Sequence, residues 1–264
     1  KSIKCPDNFI NTNILGTYTL IKTLNGIIEK NLGSLSKKLK FIHISTDEVY
    51  GTLDFSSKPF DENSPYKPNS PYAASKAASD HLVRAYNKTY NFPSIIINCS
   101  NNYGPFQYPE KLIPLTILNC LKGSPIPIYG NGKQIRDWLY VEDHCFAIKK
   151  ILDEGKIGEV YNIGGNEEIE NIKIVKKICS IMDKSKPRTK GVYSELITFV
   201  DDRPGHDIRY AISTKKIEKS LSWKINTSLD LGLQKTVRWY LNNLEWLEDT
   251  YDNSFQEWIK LNYK

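Results

Sequence analysis

The residues best suited to chemistry in this sequence are a tyrosine and a lysine four positions apart, Tyr72 and Lys76. That spacing places both side chains on one face of a helix, so the ammonium can lie near the phenol. A phenol with a pKa near 10 must drop by about 3 units, or ~4 kcal/mol, to act as a base near neutral pH. One ammonium at about 5 Å supplies roughly 3 kcal/mol at an effective dielectric of about 20. A second positive charge is therefore needed, and the oxidised nicotinamide ring of NAD⁺ is a candidate.

Two adjacent carboxyls form the second group with chemical potential. Asp47 and Glu48 directly follow Thr46, at the end of a short apolar run of strand type. Ligands of open α/β sheets bind at the carboxyl ends of the strands, so this position favours a role in a site. Two neighbouring carboxyls can act as an acid and a base when their surroundings give them different protonation states. The same pair is also compatible with a solvated loop, and Tyr72 with Lys76 is compatible with an exposed helix.

The periodicity of apolar residues predicts the elements that position these side chains. Residues 8–31, followed by Gly33, and residues 71–90 have helical spacing, and residues 41–45 and 94–98 are apolar runs typical of strands. Residues 52–70 have the Pro, Ser, Asn and Asp content of a loop. Strand, loop, helix and strand predict a βαβ unit and a parallel, doubly wound sheet. Later in the chain the pattern predicts helices over 111–121, 141–152, 171–183 and 229–244, and strands over 159–163 and 197–200.

These residues resemble the extended short-chain dehydrogenase/reductase family. Thr46, Tyr72 and Lys76 match the Ser/Thr, Tyr and Lys of its members, and Thr46 to Gly51 resembles its nucleotide-sugar 4,6-dehydratases. The resemblance implies an α/β fold, a Rossmann-type doubly wound parallel sheet with a smaller mixed α/β substrate-binding domain. It assigns residues 1–100, with returns near 137–165, to the NAD-binding domain. It assigns residues 101–136 and 166–264 to the substrate-binding domain.

The beginning of a Rossmann fold is not found in this sequence. Such folds open with a strand, a Gly-rich turn and a helix whose amides hold the pyrophosphate. Gly164 and Gly165 follow a strand pattern but begin no GxGxxG motif, and the sequence starts at Lys1. We therefore expect an N-terminally truncated domain whose first strands lie upstream of Lys1. A chain without them is expected to bind NAD poorly.

The resemblance also implies a reaction and a role for each catalytic residue. Tyr72, supported by Thr46 and Lys76, would take the proton of the sugar 4-hydroxyl while a hydride leaves C4 for NAD⁺. Glu48 would then remove the C5 hydrogen, and protonated Asp47 would donate to the departing 6-hydroxyl. The hydride returns to C6, so the product is a 4-keto-6-deoxy sugar plus water with no net redox change. The implied activity is that of an NAD-dependent hydro-lyase in deoxysugar biosynthesis, for example of dTDP-rhamnose.

Binding residues are carried over from the same resemblance. The expected cofactor contacts are Thr12, Tyr72, Lys76 and Asn102, and no metal is expected. Arginine suits a diphosphate because its planar fork binds two oxygens and stays charged. Arg136 and Arg203 lie in the two most distinctive strings, and Arg209 with Tyr210 is expected to support the site. The expected substrate contacts are Asn101, Lys111, Leu112, Pro127, Ile128, Tyr129, Arg136, Asn171, Asp202, Arg203, Pro204, Gly205, His206 and Tyr263.

The nucleotide of the substrate is suggested by the string from Arg203 to His206. The string resembles enzymes that act on dTDP-glucose, which ranks dTDP-glucose first and UDP-glucose second. Two other interpretations stay open: an epimerase or decarboxylase on the same fold, and an inactive protein that binds sugar nucleotides. Replacing Asp47 separates the enzyme classes, because it should stop the loss of water but spare a simple oxidation at C4.

Composition restricts the partners and the compartment. The net charge is +6, and 30 of the 36 basic residues are scattered lysines, so no nucleic-acid surface is indicated. No apolar run has the length of a membrane span, and no signal peptide opens the sequence, which favours a cytoplasmic protein. Five widely spaced cysteines without a CxxC motif predict buried free thiols. The family resemblance further implies a homodimer that pairs the helices at 8–31 and 71–90. The five cysteines are Cys5, Cys99, Cys120, Cys145 and Cys179.

Overall fold

A computed structural model describes residues 2–30 and 39–250 of the chain. The chain divides into two compact units, which are considered one at a time. The first unit contains Lys1–Ser100, His144–Asn166 and Arg209–Lys224. The second unit contains Asn101–Asp143, Glu167–Ile208 and Ile225–Lys264.

The described residues form nine α-helices and eight strands, together with short 3-10 and π-helical segments. The α-helices are α1 (Pro6–Phe9), α2 (Thr17–Lys30), α3 (Pro71–Tyr90), α4 (Leu112–Lys122), α5 (Val141–Glu154), α6 (Asn171–Ser185), α7 (Lys215–Leu221), α8 (Leu229–Asn242) and α9 (Leu244–Asp249). The strands are β1 (Phe41–Thr46), β2 (Ser94–Cys99), β3 (Asn101–Tyr103), β4 (Ile126–Tyr129), β5 (Ile135–Tyr140), β6 (Val160–Ile163), β7 (Glu168–Glu170) and β8 (Ile197–Val200).

The first unit is built on a parallel sheet in the order β1-β2-β6. The middle strand, β2, is buried along its first five residues, because a parallel strand covered on both faces is a continuous apolar run. The register pairs Ser45 with Asn98 and Thr46 with Cys99, so β1 and β2 end side by side. The predicted parallel sheet and both of its first predicted strands are confirmed.

Helix α3 follows the loop at 52–70 with the bounds that the sequence predicts. The side chain of Ser70 accepts a hydrogen bond from the amide of Ala73 at 3.1 Å, and Pro71 occupies the first turn. Both features start a helix, since the cap satisfies an amide without an internal partner and proline needs none. Asn91 ends the helix in the left-handed region with a φ of 55°. The starting residue matters because Tyr72 is the second residue of α3.

The predicted continuous helix at 8–31 is wrong in its first half. The segment consists of α1, a π-helical stretch at Ile10–Gly16, and α2. Within this stretch the side chain of Asn13 donates a hydrogen bond at 2.9 Å to the hydroxyl of Ser75 on α3. Asparagine and glycine have low α-helix propensity, so a change from α-helix to the wider π-helix costs little at these residues. The predicted stop at Gly33 lies outside the described residues.

The second unit combines two small sheets with helices α4, α6, α8 and α9. Strand β5 pairs with β3 in parallel and with β7 in antiparallel orientation, and β4 pairs with β8 in parallel. One apolar cluster, which includes Ile117, Ile178 and Leu233, joins the helices to the sheets. The sequence pattern predicts β8 with its observed bounds and α4, α6 and α8 within a few residues, but it does not predict α9. It does not predict β3, β5 or β7, which are short or carry polar residues such as Arg136.

The cysteines correct a second expectation. Cys120 and Cys179 are buried, but Cys5 and Cys145 are exposed and Cys99 is only partly covered. Cys5 lies just before α1, and Cys145 lies in α5. In the part of the chain that the structure describes, none of the helices combines the length and the apolarity of a membrane span.

Candidate active site

Strand β1 ends in a cap that positions the two carboxyls. Thr46 stands at the start of a 3-10 turn over Asp47–Tyr50, and its hydroxyl accepts a hydrogen bond from the amide of Glu48 at 3.3 Å. The same hydroxyl donates to the carboxylate of Asp47 at 3.3 Å. Gly51 ends the turn with a φ of 89°, where a side chain would collide with the carbonyl oxygen of Lys67. Asp47 is 3% exposed and Glu48 is partly exposed, so the neighbouring carboxyls have different surroundings.

Tyr72 and Lys76 lie on the face of α3 that meets β1. The ammonium of Lys76 donates a hydrogen bond at 2.6 Å to the carbonyl oxygen of Ile44. The ring of Phe9 packs edge-on against Tyr72 with ring centroids 5.9 Å apart. Between the two catalytic candidates, the hydroxyl of Ser75 donates to the carbonyl of Tyr72 at 2.7 Å. The π-helical segment and β1 therefore hold this turn of α3 from two sides.

The electrostatic surroundings of Tyr72 oppose its ionisation. Burial raises the pKa of Tyr72 above its usual value, and the nearby charges of Glu48 and Asp47 raise the pKa further. A hydrogen bond with Thr46 acts in the opposite direction. Burial also lowers the pKa of Lys76, and the charge of Asp80 opposes that shift. The tyrosine therefore needs added positive charge to act as a base, as the sequence argument expects.

A buried polar cluster next to this site is absent from the sequence predictions. The carboxylate of Asp80 lies 3.0 Å from Nε2 of His43 and accepts a hydrogen bond from the hydroxyl of Ser45 at 2.7 Å. All three side chains are less than 7% exposed. Two spacings in the sequence indicate shared faces. Lys76 and Asp80 are four residues apart on a helix, and His43 and Ser45 are two residues apart on a strand.

A chain of hydrogen bonds continues from Asp80 through buried aromatic side chains. Tyr66 is hydrogen-bonded to Asp80, and the amide of Asn98 donates to the hydroxyls of Tyr66 at 3.2 Å and Tyr50 at 2.8 Å. The hydroxyl of Tyr50 then donates to the side chain of Asn162 at 2.9 Å. Burial raises the pKa of both phenols, so both stay protonated. The chain ties strands β2 and β6 to α3.

In the second unit, Asp202 and His206 form the centre of the predicted substrate residues. Nδ1 of His206 donates to the carboxylate of Asp202 at 2.6 Å, and the side-chain amide of Gln134 donates to its other oxygen at 2.9 Å. Burial would raise the pKa of Asp202, but the hydrogen bonds from His206, Arg203 and Gln134 outweigh burial and lower it. Gln134 is a functional candidate that the sequence predictions miss.

Two arginine charges act on His206. Burial, followed by the charges of Arg203 and Arg136, lowers the pKa of His206 to about 4, although Asp202 acts in the opposite direction. The guanidinium of Arg136 is 5% exposed and donates to the carbonyls of Ile135 at 2.7 Å and Asp207 at 3.0 Å. The backbone therefore fixes the orientation of this buried cation. Such a cluster suits an anionic ligand.

Several other predicted residues join this cluster. The ring of Tyr129 packs edge-on against His206 with centroids 6.2 Å apart, and Pro127 and Ile128 precede it in β4. The amide of Asn171 donates to the carbonyl of Gln134 at 3.0 Å, and its side-chain oxygen is buried without a protein partner. Gly130 adopts a φ of 57°, and a side chain there would lie 2.9 Å from the carboxylate of Asp202. Pro204 and Gly205 form the exposed turn between Arg203 and His206.

The structure places the remaining predicted residues apart from these contacts. Asn101 and Asn102 lie in β3 opposite Trp138 and Leu139, and the side-chain oxygen of Asn101 is buried without a protein partner. Lys111 caps α4 beside Leu112, and its ammonium lies 3.3 Å from Glu110. Thr12 is exposed in the π-helical segment. Arg209, expected to support the site, donates to the carbonyls of Asp54 and Ser57, and Tyr263 lies outside the described residues.

Comparison with known proteins identifies close relatives. The profile of the family described as GDP-mannose 4,6 dehydratase matches residues 1–236. A dTDP-glucose 4,6-dehydratase from Shigella flexneri is 50% identical over 272 residues, which cover 100% of this chain and 75% of the relative. The chain therefore spans about three quarters of that protein.

Solved structures of the same kind of protein match the fold. The dTDP-glucose 4,6-dehydratase of Bacillus anthracis in complex with NAD has a TM-score of 0.80 and 44% identity, covering 95% of this chain and 73% of that chain. The corresponding protein of Streptomyces venezuelae, also with NAD bound, has a TM-score of 0.83 and 41% identity, covering 94% and 71%.

Proposed function

This chain belongs to the dTDP-glucose 4,6-dehydratase family, and we propose that it converts dTDP-glucose to dTDP-4-keto-6-deoxyglucose and water with NAD as cofactor. The observation that carries the proposal is the position of the carboxyl pair. Asp47 and Glu48 lie close enough to Tyr72 for their charges to act on its phenol. Elimination of water needs an acid and a base beside the group that starts the oxidation, and these three residues supply them.

NAD fits the chemistry of the residues around Tyr72. The phenol is buried beside carboxyls, so its ionisation requires a further positive charge. The ammonium of Lys76 has three N–H donors, and one of them is hydrogen-bonded to the carbonyl of Ile44. The other donors suit the hydroxyls of a cofactor, so we assign Thr12, Tyr72, Lys76 and Asn102 to the NAD site. When bound, NAD⁺ would supply hydride-transfer chemistry and a positive charge that would favour the ionised tyrosine.

Tyr72 acts first, as the base that takes the proton of the 4-hydroxyl. Thr46 orients the phenol through their hydrogen bond, and we assign to Lys76, one turn further along α3, the role of lowering the cost of ionising it. Oxidation at C4 produces a ketone, which acidifies the hydrogen on C5. These roles require Thr46, Tyr72 and Lys76 to lie close together, and their positions at the end of β1 and the start of α3 allow that.

Asp47 and Glu48 then carry out the loss of water. Glu48, the more exposed carboxyl, is ionised and removes the C5 proton, and buried Asp47 gives a proton to the hydroxyl leaving C6. Glu48 returns its proton to C5 when the hydride reaches C6. The proton that Tyr72 takes from the 4-hydroxyl balances the proton that Asp47 gives, so the sum of the steps is the loss of one water.

The second unit supplies the binding site for the nucleotide diphosphate, and the first unit supplies the proposed NAD contacts Thr12, Tyr72 and Lys76. Arg136 and Arg203 bind the diphosphate, and Asp202 and His206 hold the surrounding turn. Tyr129, Pro127 and Ile128 lie beside the base. The other substrate contacts we propose are Asn101, Lys111, Leu112, Asn171, Pro204, Gly205 and Tyr263. The high identity to dTDP-glucose enzymes places dTDP-glucose ahead of UDP-glucose.

The protein acts as a homodimer in the cytoplasm. The outward face of α2 carries Leu20, 59% exposed, and Ile27, 44% exposed, with Leu15 just before the helix. Tyr18 of α2, 38% exposed, and Tyr90 of α3, 53% exposed, are further exposed aromatic side chains on these two helices. Large exposed apolar patches on soluble proteins mark interaction sites, and a self-complementary helix face suits a twofold dimer.

The test of the function is a comparison of substrates. Purified protein and NAD⁺ are incubated separately with dTDP-glucose, UDP-glucose and GDP-mannose, and mass spectrometry measures a product lighter by one water. Water loss from dTDP-glucose, at least tenfold faster than from the others, is expected. Loss from UDP-glucose alone would keep the chemistry and change the nucleotide. Epimerised or oxidised products without loss of water would contradict the proposal.

A further inference from the structure

Helix α3 carries three ionisable side chains on successive turns of one face, Tyr72, Lys76 and Asp80. The first two have roles in the proposed reaction, and the third has none. Asp80 is 2% exposed, although acidic side chains are almost never buried to that degree unless they are paired. Residues four apart on a helix are neighbours, so Asp80 lies one turn behind the ammonium of Lys76.

The carboxylate of Asp80 is held in place by donors from another element. Nε2 of His43 lies 3.0 Å from one oxygen, and the hydroxyl of Ser45 donates to the other at 2.7 Å. Both donors come from β1, and Tyr66 adds a third hydrogen bond. A carboxylate accepts hydrogen bonds through both of its oxygens, and these three groups occupy both of them.

Lys76 reaches the same strand between these two donors. Its ammonium donates at 2.6 Å to the carbonyl of Ile44, which lies between His43 and Ser45 in β1. Burial favours the uncharged form of a lysine, and the charge of Asp80 opposes that effect. A neutral Lys76 would no longer help Tyr72 to ionise. The charge state of Lys76 therefore depends on the charge of Asp80, one turn further along α3.

We propose that Asp80 is a positioning residue that holds Lys76 as an ammonium at the end of β1, beside Tyr72. The inference rests on the proposed function of Lys76 in the reaction. Asp80 touches neither substrate nor cofactor and acts only through Lys76. His43 and Ser45 are its anchors, and they fix the carboxylate at one place on the inner face of α3.

The other ionisable groups around this pair leave Asp80 as the main source of negative charge at Lys76. Asp80 is the largest charge acting on Lys76, and the thiol of Cys99 on β2 donates a hydrogen bond at 3.3 Å to the carbonyl of Ser45. The phenols facing Asp80 are kept protonated by burial, so they donate hydrogen bonds and carry no charge. The groups that face the pair are His43 from β1, Tyr50 from the 3-10 turn, Tyr66 from the loop, Tyr72 from α3 and Cys99 from β2.

The experiment measures the titration of Lys76 directly and needs no turnover. Trace acetylation by acetic anhydride is followed at each pH, and mass spectrometry of the peptide containing Lys76 gives the pKa of its amine. Asp80→Asn keeps the shape and a hydrogen-bond acceptor but removes the charge. We expect this variant to lower the pKa of Lys76 by about one unit or more, and Asp80→Glu to restore it. An unchanged pKa in folded Asp80→Asn would overturn the proposal.

Ser45→Ala is the matched control for a purely structural role. It removes one anchor of the carboxylate and leaves the charge, so stability should fall while the pKa of Lys76 stays within about 0.3 units of the original. If Asp80→Asn fails to fold, Ser45→Ala and Asp80→Glu still decide the question. A lowered pKa of Lys76 in either variant, with a carboxylate present, would contradict the inference.

Turnover provides a second readout with a distinct signature. In Asp80→Asn, Lys76 loses its proton at lower pH, so the alkaline limb of the kcat profile should move to lower pH by a similar shift. KM should change by less than about twofold, because no substrate contact is lost. An active protein whose variant keeps the original pH profile would refute the inference and leave the proposed function intact. Absence of water loss in the unaltered protein would refute the function instead.

Discussion

At the scale of residues, the site separates into groups that the sequence identifies and groups that only the folded chain reveals. Tyr72 with Lys76 and Asp47 with Glu48 are local patterns, so their spacing alone predicts shared faces. His43 and Asp80 are 37 residues apart, and their contact depends on the packing of α3 on β1. Gln134 likewise connects to Asp202 across 68 residues. Contacts between residues so far apart along the chain cannot be predicted from the spacing of residues in one sequence.

Asp47→Asn should separate oxidation from elimination. The amide is the same size but has no proton to give to the leaving hydroxyl, so water loss should slow by about 10²- to 10⁴-fold. Oxidation at C4 should continue, because Tyr72 and Lys76 are unchanged. Rapid mixing with absorbance of reduced nicotinamide would measure the first step, and mass spectrometry the second. Asp249→Asn, an exposed change in α9, is the control, and equal loss of both steps in Asp47→Asn would argue against an acid role.

His206 should report the arrival of a diphosphate. Burial and the arginine charges lower its pKa to about 4, and added negative charge beside Arg203 should raise the pKa by about one unit or more. NMR titration of the histidine ring with and without dTDP measures the change. His144 is a matched control, because burial alone lowers its pKa to about 4. A shift of His144 with none at His206 would place the diphosphate elsewhere.

At the scale of elements, predictions succeed where one physical signal dominates. Helix α3 has a serine cap, a proline and twenty residues of helical spacing, and β2 is a continuous apolar run, so both are predicted closely. The π-helical segment depends on the contact between Asn13 and Ser75, which helical periodicity does not encode. Strand β5 carries Arg136 and Asp137 at buried positions. The buried polar residues of β5 are hydrogen-bonded to segments far along the chain. The sequence therefore lacks the alternation of apolar and polar residues that would predict a strand.

Ser70→Ala tests the cap that sets the start of α3. Loss of the hydrogen bond to the amide of Ala73 should cost about 1 kcal/mol of stability. Tyr72 lies two residues into the helix, so kcat should fall as well. Chemical denaturation measures the first effect and steady-state kinetics the second. Ser228 precedes α8 without a capping hydrogen bond from its side chain, so Ser228→Ala should cost clearly less, and equal costs would show that the cap contributes little.

At the scale of the whole molecule, the sequence predicts the fold class through the order of its elements. The parallel sheet β1-β2-β6 and the mixed second unit follow from alternating strand and helix patterns and from the family resemblance. The assignment of one unit to NAD and the other to the nucleotide sugar stays a proposal, as does the homodimer. Surface residues carry little pattern of their own, so exposure in the structure is the better guide to an interface.

Leu20→Glu tests the proposed dimer face on α2. A charge on this exposed apolar position should weaken the dimer by at least tenfold without unfolding the chain, because the side chain contributes little to the core. Sedimentation velocity over a range of protein concentrations measures the change. Leu231→Glu, at a leucine 45% exposed on α8, is the control. A monomer in the unaltered protein would contradict the proposed homodimer, and a dimer insensitive to Leu20→Glu would place its interface elsewhere.

The central claim is that one site oxidises C4, removes water across C5 and C6, and returns the same hydride to C6. The most direct measurement uses dTDP-glucose carrying deuterium at C4, with the product analysed by NMR and mass spectrometry. The account predicts a 4-keto-6-deoxy product that is lighter by one water and keeps the deuterium, now on C6. Deuterium that remains on C4, or a product that keeps its 6-hydroxyl, would contradict the account.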